Sequence, residues 1–150
     1  MMGITTYVPW WGKIATKIVL SRLPIKYEFW HKIGLFRHGE MAQPDYAYAV
    51  FKQHFERVKL DKGFVSLELG PGDSLFSAMI AWSLGASASY LVDTGEFARK
   101  DIQPYRVMAD FLTQKGLPTP NIRNCQSLED VLASCCTQYL TSGLSSLHSL

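Results

Sequence analysis

The nineteen residues FVSLELGPGDSLFSAMIAW, from Phe64 to Trp82, constrain this chain more than any other stretch. Phe64 to Leu69 is short and apolar-rich with an alternating pattern, which predicts a β-strand. Leu75 to Leu84 has the apolar spacing of a helix, and Gly85 stands where a C-terminal glycine closes one. Between them lies ELGPGDS, a turn with two glycines and a proline, led by a carboxylate. A strand passing through so tight a turn into a helix is the opening of a β-α-β unit.

The next residues repeat the alternation. Ser89 to Val92 reads as a second strand ending at Asp93, and Pro104 to about Gln114 as a helix stopped by Gly116. A proline-marked loop, LPTPNIRNC, leads to a short helix from Leu128 to about Cys135, opened by Ser127. Gln138 to Thr141 reads as a third strand. The pattern predicts an α/β fold with a parallel sheet.

The chain before Lys62-Gly63 is different. Trp10 to about Leu23 forms an amphipathic pattern, with Trp11, Ile14, Ala15, Ile18 and Val19 on one face and Lys13 and Lys17 on another, ended by Pro24. IKYEFWHKIGLF reads as a second short helix stopping near Gly34, and RHGEMAQPD as a loop. Tyr46 to about Val58 reads as a third helix, with Asp45 as its N-cap and Tyr46, Ala49, Val50 and Phe55 as its buried positions. Two regions result: a helical segment over 1–60 and an α/β region over 61–150.

Composition excludes several functions. A chain of 150 residues with 47% hydrophobic and 19% charged residues suits one folded domain. The net charge of +2 does not indicate a nucleic-acid partner, although residues 1–50 carry +3 and the remainder −1. No apolar run reaches membrane-spanning length, and IATKIVL lacks a cleavage site after it, so neither a transmembrane segment nor a signal peptide is expected. The Trp10–Leu23 helix has the aromatic and basic residues of a peripheral membrane contact, but packing on protein is the favoured reading. Cys125, Cys135 and Cys136 form no CxxC, and no metal-ligand spacing joins them to His31, His38, His54 or His148. Reduced thiols in a cytoplasmic protein are expected, with no metal.

In an open α/β sheet, ligands bind beyond the carboxyl ends of the strands. Gly70 and Gly72 remove the Cβ atoms that would hold a ligand off the backbone. A phosphate-binding P-loop needs a lysine after its last glycine, and none lies near. A nicotinamide-dinucleotide turn would need its third glycine at Leu75. Glu68, directly before the turn, would repel a phosphate and favour a cationic amino group.

Glu68-Leu69-Gly70-Pro71-Gly72-Asp73-Ser74 resembles motif I of the class I S-adenosylmethionine-dependent methyltransferases, and Asp93 in SYLVDTG resembles the acid that ends their second strand, 21 positions after Gly72. The match runs from about Phe64 to Gly143, and the helical lead is similar to that of uncharacterised bacterial methyltransferases. The resemblance implies a Rossmann-like sheet and S-adenosylmethionine as cofactor. Glu68, Gly70 and Gly72 would hold its methionine end, and Asp93, with Thr94, its ribose. Two features depart from the family. Ser74 stands at the third glycine position, and no acid or amide lies at Thr141, Ser142 or Gly143, where adenine is usually read.

The family sheet has seven strands, and His148-Ser149-Leu150 falls where the fourth would begin. The first strand is therefore expected at a sheet edge, with residues 1–150 being part of a longer protein or completed from elsewhere. The family's substrate-side residues mostly come after strand four, so no catalytic residue is assigned. A small-molecule or glycan-type methyl acceptor is left unnamed. Tyr7, His31 and His38 lie in the lead, where a surface role is expected. The alternative function is a non-catalytic interaction module that uses the aromatic, basic lead.

Overall fold

The structure is a computed structural model and describes residues 40–149. The expected helices at Trp10–Leu23 and from Ile25 to Phe36, with Tyr7, His31 and His38, lie outside the described residues. A 3-10 turn, Glu40–Ala42, leads into helix α1, Pro44–Val58. The order then runs β1 (Val65–Leu69), α2 (Phe76–Ser83), β2 (Ala88–Val92), α3 (Gln103–Gln114), α4 (Leu128–Ser134) and β3 (Thr137–Leu140). A second 3-10 segment comes last, Gly143–Ser149.

The fold is α/β, with an all-parallel three-stranded sheet in the order β1-β2-β3 and helices between its strands. Leu69 pairs with Val92, and Val92 with Leu140, so the three carboxyl ends lie side by side. Because strand order advances in one direction, crossovers of the usual right hand put their helices on one face. That face holds the core. Leu75, Phe76, Met79, Ile80, Leu91, Tyr105, Met108, Leu112 and Val131 are buried in it, with the Phe76 and Tyr105 rings edge-on at 5.5 Å. Burial pushes the Tyr105 hydroxyl up to about 12.

The opposite face is bare along β1. Val65, Leu67 and Leu69 are all more than half exposed. Gly70 N–H donates to Val92 O and Ser87 N–H to Phe64 O, so the even-numbered backbone groups of β1 turn towards β2. By alternation, Val65, Leu67 and Leu69 point theirs off the sheet. Among the described residues no strand pairs with that edge.

Helix α1 corrects two sequence expectations. Its N-cap is Gln43, with Pro44 next, and Asp45 lies within the first turn, where a carboxylate still suits the positive end of the helix dipole. Its inward face is shifted. Ala47 is fully buried, and Tyr48 and Phe51 pack on the core, whereas Tyr46 and Ala49 are exposed. Tyr48 meets Phe111 of α3 edge-on at 5.8 Å, which fixes the helix rotation. Helix α4 begins as expected at Ser127. The Ser127 hydroxyl accepts from Asp130 N–H, and the Asp130 carboxylate accepts from Ser127 N–H, a reciprocal cap.

Candidate ligand site at the carboxyl ends of the strands

The glycine turn leaves β1 at Gly70 and enters α2 near Leu75, which has no side-chain cap. Gly70 and Gly72 have φ of +72° and +73°, a left-handed backbone that side chains with a Cβ rarely adopt. A Cβ built on either would meet nothing within 4 Å, so both α-carbons border open space. The backbone there is bare and approachable.

Asp93 sits at the centre of this edge. Its main chain ties β2 to the end of β3 and to the segment beyond it, with Asp93 N–H donating to Leu140 O at 2.8 Å and Gly143 N–H donating to Asp93 O at 2.7 Å. Its carboxylate accepts from Gly72 N–H at 3.1 Å and from Thr94 N–H at 2.8 Å. The residue is 8% exposed. The two amides occupy one acceptor position on each oxygen, and a carboxylate offers about four. Asp93 therefore braces the turn and keeps acceptor capacity for hydroxyl donors.

A second brace stands further along the turn. The Arg99 guanidinium donates to the Asp73 carboxylate at 2.8 Å, and Arg99 N–H donates to Asp73 O at 3.0 Å. The Ser74 hydroxyl donates to Met41 O at 2.9 Å, joining the turn to the chain before α1. Serine at this position thus has a partner that glycine could not supply.

The structure brings Gly70, Gly72, Asp93 and Thr94 together at one edge. Glu68 stands apart from them. Its half-buried carboxylate accepts from the Ser77 hydroxyl of α2, and burial raises its pKa above the ordinary value, with the Ser77 bond only partly opposing this. Glu68 and Ser77 floor an open groove of about 390 Å³ between α1 and β1, walled by Val50, Phe51, Phe55 and Leu67. Apart from that floor, His54 and Ser66, the groove is apolar and runs along the sheet edge. The polar, bare-backbone site is at the turn, which is where ligand chemistry is expected.

Tyr139 and Phe97 were not foreseen from the sequence. The Tyr139 hydroxyl accepts from Phe97 N–H and donates to Gly95 O, both at 3.1 Å, fastening the loop after Asp93 to β3. The only signal was an aromatic residue in a short strand. Thr141, Ser142 and Gly143 come after β3 without an acid or amide. Among the described residues no group of His, Cys, Asp and Glu is arranged to hold a metal ion, and no helix is long and apolar enough to cross a membrane. No protein-family model matches the chain, and no curated protein or solved structure does so either.

Proposed function

We propose that this chain binds S-adenosylmethionine at the Gly70–Gly72 turn and Asp93, and that it is a methyltransferase or the cofactor-binding part of one. The observation that carries the reading is the pairing of Asp93 with Gly72. A carboxylate with free acceptor positions lies 3.1 Å from the amide of a bare glycine, at the carboxyl edge of a parallel sheet. The order of elements, from Phe64 to the residues after β3, agrees with the resemblance of the two motifs.

The residues present fit the cofactor. The open space over Gly70 and Gly72 admits a chain against the backbone, and Asp93 has acceptors for vicinal ribose hydroxyls. Charge-assisted hydrogen bonds of that kind are about twice as strong as neutral ones. Glu68 contributes negative charge below the turn, which favours a cationic ligand over a phosphate. Its carboxylate reaches a ligand amino group only by turning from Ser77 or by adding to that bond. When bound, the cofactor supplies a sulfonium methyl for displacement by a nucleophile, and the protein's part is chiefly positioning. No described residue is assigned as a base for the acceptor.

Isothermal titration of the full-length protein with S-adenosylhomocysteine and with NAD tests the reading. Saturable binding of the first and not the second is expected; preference for NAD would sink it. A second reading, a non-catalytic module that binds another polypeptide, is favoured by one observation: the exposed apolar row Val65, Leu67 and Leu69 on an edge strand that no other strand among the described residues pairs with. Failure to bind either ligand, with a partner retained through β1, would favour it.

A further inference from the structure

We propose that Tyr139 is a positioning residue of the ligand site. Its hydroxyl holds the loop after Asp93 in the path that keeps the glycine turn and the Asp93 carboxylate together before a ligand arrives. The inference rests on the S-adenosylmethionine reading and adds to it what sets the affinity of the site.

The loop between Asp93 and the start of α3 at Gln103 has no helix or strand of its own. Fixing such a loop costs backbone entropy, so its path depends on the contacts it makes. Two of them come from Tyr139 of β3. The Tyr139 hydroxyl accepts from Phe97 N–H and donates to Gly95 O, both at 3.1 Å, while its ring packs against the core. Ala98 is buried in that core. Arg99 N–H then donates to Asp73 O at 3.0 Å, and the Arg99 guanidinium donates to the Asp73 carboxylate at 2.8 Å.

Asp73 is the neighbour of Gly72, whose N–H donates to one oxygen of the Asp93 carboxylate at 3.1 Å. Thr94 N–H, at the start of the same loop, donates to the other oxygen at 2.8 Å. The contacts close a circuit, from Asp93 across to the glycine turn, from Asp73 to Arg99, and back along the loop to Thr94. Tyr139 grips this circuit at its middle. The Arg99–Asp73 pair is reached by solvent on both sides and ends on a long side chain, so alone it holds loosely. The Tyr139 ring is already fixed by packing, and its hydroxyl needs little further ordering. A ligand that enters a site already in shape does not bear the cost of ordering it. Without the hydroxyl the loop takes other paths, and the apparent Kd rises as the binding-competent fraction falls.

The test is isothermal titration with S-adenosylhomocysteine, together with amide hydrogen exchange, on full-length wild type and Tyr139→Phe. Phenylalanine keeps the ring in the core and removes only the hydroxyl. Affinity of the folded variant should fall roughly two- to tenfold, the range of one net hydrogen bond. Without ligand, the amides of Gly72 and Thr94 should exchange faster than in wild type, as should that of Phe97, and saturating S-adenosylhomocysteine should slow all three. A tie that only stabilised the fold would lower the melting temperature and leave the affinity of the folded protein unchanged. That result overturns the inference and leaves the cofactor reading intact, and so does faster exchange confined to Phe97. Absence of S-adenosylhomocysteine binding in wild type overturns both.

Discussion

Asp93→Asn is the substitution that separates a structural carboxylate from one that also binds ligand. In the wild type each carboxylate oxygen accepts one backbone N–H, from Gly72 and from Thr94. Asparagine keeps one acceptor and turns an NH2 group towards the other amide, so one of the two bonds is lost and two donors face each other. The site is 8% exposed, and water can replace little of the loss. A hydrogen bond to a charged group contributes about 1.5–3 kcal/mol, so stability should fall by about that amount. For a chain of this size that is a melting temperature lower by about 3–12 °C. If the remaining acceptor positions serve ribose hydroxyls, affinity for S-adenosylhomocysteine should also fall, by roughly ten- to a hundredfold in the fraction that remains folded. Calorimetric melting and isothermal titration on the same full-length protein give both quantities. Leu112→Ala is the control, because it empties a fully buried core position away from the turn and should lower stability alone. Unchanged affinity in folded Asp93→Asn would refute the ribose assignment, and an unchanged melting temperature would refute the brace between the strand ends.

Two further predictions concern the turn and the strand before it. Gly72→Ala should cost roughly 1–2 kcal/mol from its left-handed backbone and not from a clash, since an added Cβ meets nothing within 4 Å. Gly72→Asn, which tolerates that conformation better, should melt higher than Gly72→Ala; the reverse order would show that space and not φ sets the cost. Glu68 has a pKa raised by burial, so the folded protein holds that proton more tightly than the unfolded chain does. The stabilisation is complete below the ordinary value near 4.5 and is lost as pH rises through the raised one. Melting curves should therefore show wild type gaining on Glu68→Gln as the buffer is taken from neutrality towards that ordinary value, and parallel curves would count against a desolvated carboxylate.

The order of elements is legible in the sequence because each rests on short-range chemistry. Alternation in Phe64–Leu69, glycines after helices and a serine that opens a helix are local features, and the structure places β1, α2, β2, α3, α4 and β3 within a residue or two of the positions those features indicate. The rotation of α1 is not local. Tyr46 and Ala47 are adjacent, and the choice between them is made by Phe111, some sixty residues away in the chain, where Tyr48 finds its ring partner. At the site, the glycines and the acid are visible as residue types at a spacing. The double use of the Asp93 carboxylate is not, because it depends on how near β2 brings it to Gly72. Nor is the Tyr139 clasp, since nothing in TQYL shows that a hydroxyl will reach across to Gly95 and Phe97. Glu68 is readable as an acid before a turn, but strand alternation turns it under the sheet towards Ser77.

The brace at Asp93 bears on how this protein can diverge. Its carboxylate holds Gly72 and Thr94, and its main chain links β2 to Leu140 and Gly143, so selection for folding alone would keep an aspartate there. A relative that binds nothing at this edge would still retain the acid, and that acid in a distant sequence would not by itself indicate binding.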